Sequence, residues 1–107
     1  WQGDRSAEAR WVRRAAEVAP ADRGLARRLA ALEIAGGNAA AAVAICESLL
    51  AEDPQDAEVI FLRAEVDALA GRDAAAEQRI EAWVGGQKDQ AAARLRADAF
   101  YRRLHLS

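Results

Sequence analysis

The two prolines of this chain lie 34 residues apart, and the sequence around them repeats with the same spacing. Pro20 stands in EVAPADRG and Pro54 in AEDPQDAE, and each interrupts a segment rich in good helix formers. At the same offset glycine falls on glycine and alanine on alanine, at Gly37/Gly71 and Ala42/Ala76. A fixed period of this length is the signature of a repeat protein, and it constrains the fold more than any composition figure.

Apolar residues follow the same period. The matched pairs are Leu25/Val59, Leu32/Val66, Ala35/Leu69, Cys46/Ile80, Leu49/Trp83 and Leu50/Val84. Within each period, apolar residues recur at intervals of three and four, which predicts two amphipathic helices per repeat. In the repeat 23–56, we expect these helices at about 23–35 and 39–52.

Residues typical of helix ends separate the predicted helices. Asp22 and Asp56 are placed to cap the first helix of each repeat, and Asn38 is placed to cap the second helix of repeat 23–56. Glycine tolerates the left-handed conformation that often follows a helix. We therefore expect helices to end at Gly36-Gly37, at Gly71 and, near Val84, at Gly85-Gly86.

The period divides the chain into four segments. Residues 1–22 form the second helix of a partial repeat, 23–56 and 57–90 are full repeats, and 91–107 form the first helix of another partial repeat. The chain begins with Trp1 rather than Met and is rich in alanine and arginine, as expected of a GC-rich genome. We expect a fragment of a longer bacterial protein.

The pattern resembles the tetratricopeptide repeat (TPR) family, whose 34-residue unit is a helix hairpin with fixed small, aromatic and proline positions. The matching residues are Leu29, Ala30, Gly37, Asn38, Ala42, Leu49 and Pro54, then Ile60, Ala64, Gly71, Ala76 and Ile80. Departures are Arg63 for leucine, Trp83 for a small residue, Lys88 for proline, and Glu8 and Glu33 at usually apolar positions. The resemblance implies an all-α, TPR-like right-handed α-solenoid of antiparallel helix hairpins, with about six helices.

Residues that could support catalysis are few. The only histidine, His105, lies near the end of the sequence, and the single cysteine, Cys46, falls on an apolar helix face, where we expect a buried small hydrophobe. We expect no enzyme activity, no catalytic residue, no cofactor and no metal site. The net charge of −2 gives no general field for nucleic acid, and no run of 18 apolar residues predicts membrane insertion.

Arginines cluster at three places, and two interpretations are available. Basic residues interleaved with aromatics, as around Phe100 and Tyr101, can bind phosphates and stack on bases. The acidic total favours the other interpretation, a solvated face with salt bridges to neighbouring acids. The clustered residues are Arg10, Arg13 and Arg14, then Arg27 and Arg28, then Arg94, Arg96, Arg102 and Arg103.

The resemblance also implies a binding groove, because the first helices of TPR units commonly line one. Its groove-facing positions here include Ala35, Ala68, Leu69, Ala99 and Arg103. The residues selected as partner-binding candidates are Arg27, Ala31, Ile34, Glu58, Phe61, Glu65, Leu95 and Arg102. Phe61, flanked by two acids, is the best anchor for a peptide. The alternative, that Phe61 packs between hairpins, stays open.

The function implied by the resemblance is a non-catalytic scaffold that binds a peptide or partner protein in this groove. Two alternatives stay open: a spacer or assembly module of a bacterial envelope machine (polysaccharide secretion, outer-membrane assembly or cytochrome maturation), and the regulatory arm of an enzyme. Self-association through exposed repeat ends also stays open, as does a location in the bacterial cytoplasm or periplasm.

Overall fold

Every regular element that the structure describes is an α-helix. The structure is a computed structural model that describes residues 10–15, 17–18 and 22–104. The helices are α1 (residues 10–15 and 17–18), α2 (Arg23–Ala35), α3 (Ala39–Glu52), α4 (Ala57–Leu69), α5 (Asp73–Gly85) and α6 (Gln90–Arg103). The two helices predicted for 23–56 are confirmed residue for residue. Residues 1–9, Pro20 and His105 lie outside the described residues.

The helices are distributed over two compact units, Trp1–Asp53 and Pro54–Ser107, called here the N-terminal and C-terminal parts. In the N-terminal part α2 packs against α3. In the C-terminal part α4 packs against α5, and α5 packs against α6. Each of the pairs α2–α3 and α4–α5 is a helix hairpin, the unit that the repeat pattern predicts.

The two hairpin turns have the same backbone geometry. Gly37 and Gly71 both have φ of 81°, a left-handed conformation that costs glycine little and other residues more. The next backbone amide reaches back to a carbonyl three residues before the cap: Asn38 to Glu33 at 2.8 Å, and Arg72 to Asp67 at 2.8 Å. This is the Schellman arrangement, and it confirms both predicted turns.

Aspartate caps the first helix of each repeat, as predicted. Asp22 accepts from the Leu25 amide at 3.1 Å, and Asp56 accepts from the Val59 amide at 3.4 Å. The prediction that Asn38 caps α3 is wrong, because its side chain makes no capping hydrogen bond. Asn38 follows the left-handed glycine directly and has ψ of 68°, whereas Asp22 and Asp56 have ψ of 102°.

The turn between α5 and α6 is one residue shorter than the repeat period requires. Asp89 caps α6 through the Ala92 amide, and it follows Asp56 after 33 residues, whereas Asp56 follows Asp22 after 34. The buried alanines of the three first helices keep the same spacing, at Ala30, Ala64 and Ala97, all fully buried. Helix α6 therefore begins one residue before position 91, where the period places it.

Side-chain amides close the end of α5, where the other repeat has its proline. Gln87 donates to the Trp83 carbonyl at 3.2 Å, and Gln90 donates to the Val84 carbonyl at 2.8 Å. Gly85 is the last residue of α5, so the helix ends near Val84 as predicted. Gly86 has φ of −89°, so this helix ends without a left-handed glycine.

Two acids are buried at the same position of the repeat. Glu33 and Asp67 lie 34 residues apart and are only 4% and 3% exposed. Each pairs with an arginine at 2.6 Å: Glu33 with Arg13 of α1, and Asp67 with Arg63 one turn earlier on α4. A buried carboxylate requires such a partner, so these acids belong to built ion pairs.

Candidate functional site

A groove of about 340 Å³ lies between α4 and α6 in the C-terminal part. Helix α4 contributes Glu58, Phe61, Leu62 and Glu65, and helix α6 contributes Arg96, Ala99, Phe100 and Arg103. The groove combines an apolar floor with charged walls. We call it the α4–α6 groove.

The floor of the α4–α6 groove is an aromatic cluster centred on Phe61. Its ring meets Trp83 of α5 at 5.1 Å and Phe100 of α6 at 5.2 Å between centroids, both edge to face. Such pairs add to the stabilisation from apolar burial. Trp83 and Phe100 are buried, whereas Phe61 is half-buried, so Phe61 is the member that the groove exposes most.

Two acid–arginine pairs cross the groove. Arg96 donates to Glu58 at 3.0 Å, and Arg103 donates to Glu65 at 2.6 Å. Both pairs join residues 38 positions apart, so α4 and α6 run in the same direction. The pairs are seven residues apart on each helix, about 10 Å along the axis.

The same two arginines cover the aromatic floor. The guanidinium carbon of Arg96 lies 4.8 Å from the Phe61 ring centroid, and that of Arg103 lies 5.7 Å from the Phe100 centroid. Cations over ring faces are attracted by the ring quadrupole. Each guanidinium is therefore held by a carboxylate and a ring, which fixes the groove wall on α6.

A second network joins α5 to α6 and sets the position of that wall. Glu81 accepts two hydrogen bonds from Arg94, at 2.7 and 2.8 Å, and one from the Tyr101 hydroxyl at 2.7 Å. These bonds, first from Arg94 and then from Tyr101, lower the pKa of Glu81 from 4.5 to about 2. Burial and the bond to Glu81 raise the pKa of Tyr101, and the bond to Glu81 raises that of Arg94.

We expect Glu81→Gln to reduce stability at neutral pH and to have no effect near pH 2. Because the folded pKa of Glu81 is below the unfolded value, its contribution is present above pH 4.5 and is lost as the pH falls toward 2. The side chain is 45% exposed, so the loss should be about 1 kcal/mol or less. Urea unfolding of both proteins across this pH range measures the difference.

The control is Glu77→Gln, which removes a carboxylate from the same helix but not from the hydrogen-bonded network. A constant difference between wild type and Glu81→Gln from neutral pH to pH 2 would contradict the assignment of the network.

Three of the predicted site residues line the α4–α6 groove together: Glu58, Phe61 and Glu65. Leu95 and Arg102 lie exposed on α6 and are not among the groove-lining residues. The other candidates belong to α2 in the N-terminal part, where Arg27 is half-buried, Ala31 is exposed and Ile34 is buried.

Phe61 fits both interpretations of its role, because one ring packs between helices and also lines the groove. The selected candidates omitted Leu62, Arg96, Ala99, Phe100 and Arg103. Ala99 and Arg103 do occupy groove-facing positions implied by the family resemblance. The sequence also showed Arg96 and Phe100 in the last basic-aromatic cluster, but spacing alone did not direct that cluster toward α4.

Salt bridges account for several of the clustered arginines, as the favoured interpretation predicts. Arg13, Arg94, Arg96 and Arg103 each pair with a glutamate. A second concavity, lined by Arg10, Trp11, Arg13, Arg14 and Glu17, lies on α1. Its apolar lining is one tryptophan, so the aromatic α4–α6 groove is the stronger candidate for a binding site.

Within residues 10–15, 17–18 and 22–104, no three histidine, cysteine, aspartate or glutamate side chains are grouped to hold a metal ion. Cys46 is fully buried in α3, which confirms the expectation for that thiol. None of the described helices is long and apolar enough to cross a membrane.

Comparison with known proteins identifies a family. A family model described as tetratricopeptide repeat matches residues 33–99, well over half of the chain. The comparison with curated proteins gave no match, and neither did the comparison with solved structures.

Proposed function

Because this chain belongs to the tetratricopeptide repeat family, we propose that it is a non-catalytic module that binds a peptide or partner protein in the α4–α6 groove. Repeats of this family generally mediate protein–protein interactions. The observation that carries the proposal is the groove itself, with a half-buried aromatic floor and ordered charged walls.

The groove has the mixture of surfaces that favours protein recognition. A buried aromatic anchor within a polar rim is the usual arrangement of a protein-binding hot spot. Here Phe61 supplies apolar surface, and the pairs Glu58–Arg96 and Glu65–Arg103 supply both signs of charge. A partner side chain could therefore rest on Phe61 while its neighbours contact the acids of α4 or the arginines of α6.

We expect Ala99→Arg to abolish peptide binding while leaving the fold intact. Ala99 is exposed and lines the groove, so a long side chain there fills the space above Phe61 without removing a packing contact. Peptides selected from a phage-displayed random library against the wild-type protein provide the probe. Their affinities for wild type and variant are measured by titration calorimetry, and we expect a loss of at least tenfold, about 1.4 kcal/mol.

The matched control is Ala82→Arg, which adds the same side chain to an exposed position of α5 outside the groove lining. Far-UV circular dichroism checks that both variants keep the helix content of the wild type. If the selected peptides bind Ala99→Arg and Ala82→Arg equally well, the groove is not the binding site.

A further inference from the structure

Three arginines converge on one carboxylate at the turn between α4 and α5. Arg63 Nη1 lies 2.6 Å from Asp67 Oδ1, and Arg72 Nε lies 3.6 Å from the same oxygen. Arg79 Nε approaches the other oxygen, Oδ2, at 3.7 Å. We call Arg63, Arg72 and Arg79 the arginine cluster. None of its members, nor Asp67, lines the α4–α6 groove, so the cluster is a separate feature.

The four side chains of this turn carry a positive excess. Arg63 and Asp67 form the closest pair and are both largely buried, so their charges offset each other. Arg72 and Arg79 are beyond hydrogen-bond distance of Asp67, and their side chains are 61% and 34% exposed. Among the described residues, Arg79 Nε is a buried polar atom with no hydrogen-bond partner.

The position of the turn adds to the positive potential. Arg72 is the N-cap residue of α5, where the helix dipole presents its positive end. An arginine side chain has no acceptor atom, so it cannot cap the amides of the first turn. Asp73 supplies the acidic side chain in that turn, which offsets the dipole in part.

We propose that the arginine cluster binds a phosphoryl group, held by Arg72 and Arg79 while Arg63 keeps Asp67 neutralised. The planar guanidinium fork matches the oxygens of a phosphate, and two such forks supply the charge that a phosphate dianion requires. The phosphoryl group comes either from free phosphate or from a phosphorylated polypeptide. The site is independent of the α4–α6 groove, so it stands or fails separately from the proposed function.

The test is a titration of the whole chain with inorganic phosphate, followed by backbone amide chemical shifts in NMR spectra. The pH is held near 7.5, above the second phosphate pKa of about 6, and sodium chloride keeps the ionic strength constant. We expect saturable shifts confined to the turn and to the first turn of α5. Arg72→Gln and Arg79→Gln should each weaken binding about tenfold, the effect of one charge-assisted hydrogen bond.

The control is Lys88→Gln, which removes a positive charge from the next turn of the same part and should leave the affinity unchanged. A parallel titration with blocked phosphoserine identifies the source, since tighter binding than that of inorganic phosphate assigns a phosphorylated polypeptide and equal binding assigns free phosphate. Shifts that never saturate, or equal affinity in wild type and both arginine variants, would overturn the proposal. If Arg79→Gln unfolds, the more exposed Arg72→Gln decides the result.

Discussion

Asp67→Leu should lower the free energy of unfolding by about 3–5 kcal/mol, the usual loss when one member of a buried ion pair is removed. Asp67 is 3% exposed and compensates Arg63, whose side chain is 14% exposed. Without the carboxylate, a guanidinium stays buried with its nearest counter-charge removed. A loss of this size is a large share of the 5–15 kcal/mol typical of a small domain, and urea unfolding measures it.

The double variant Arg63→Leu/Asp67→Leu should regain most of that stability, because a well-packed apolar pair can replace a buried ion pair at little cost. It also restores leucine at position 63, where Leu29 stands in the preceding repeat. The exposed pair Glu58–Arg96 provides the control, since Glu58→Leu should cost less than about 1 kcal/mol. A double variant no more stable than Asp67→Leu would show that the two charges do not act as a pair.

Trp83→Ala should cost about 3–5 kcal/mol, because it removes a large buried side chain from the centre of the C-terminal part. Trp83 is 8% exposed, and its ring meets Phe61 at 5.1 Å. The substitution leaves a cavity that the rigid aromatic neighbours fill poorly. Unfolding in urea, followed by far-UV circular dichroism, gives the loss directly.

The control for Trp83→Ala is Leu69→Ala on α4, where the side chain is 63% exposed. Exposed substitutions of this kind usually change stability by less than about 0.5 kcal/mol. If the two variants were equally stable, the aromatic cluster would not contribute to the fold as the packing indicates.

The helix boundaries could be predicted because local chemistry determines them. Asp22 and Asp56 offer a side-chain acceptor at a helix start, and Gly37 and Gly71 adopt the left-handed backbone at a helix end. Both signals act within a few residues and do not depend on tertiary contacts. Asn38 failed as a cap because its backbone conformation is set by the preceding turn, which a residue preference does not report.

The composition of the groove was only partly predictable, because it depends on the rotation of α6. Glu58, Phe61 and Glu65 follow from family positions on α4, but the shorter turn before α6 changes the register of the last helix. Arg96 and Phe100 reach the groove through packing against Phe61, a contact between residues far apart in sequence.

The buried ion pair on α4 illustrates a signal that was present but not used. Arg63 departs from the leucine of the family pattern, and Asp67 follows it after four residues, the spacing of neighbours on one helix face. Two unusual residues at this spacing compensate each other. The same repeat position holds Glu33, whose partner Arg13 lies on another helix and carries no comparable local signal.

The turn between α5 and α6 also bears on how the length of such a chain can change. It is closed by the flexible side chains of Gln87 and Gln90, and no proline fixes its backbone. The turn already accommodates the loss of one residue relative to its counterpart at Pro54 while keeping an aspartate cap on the next helix. Insertions and deletions should therefore be tolerated here better than at Gly37 or Gly71. A label or short linker placed after Lys88 would leave both neighbouring helices whole.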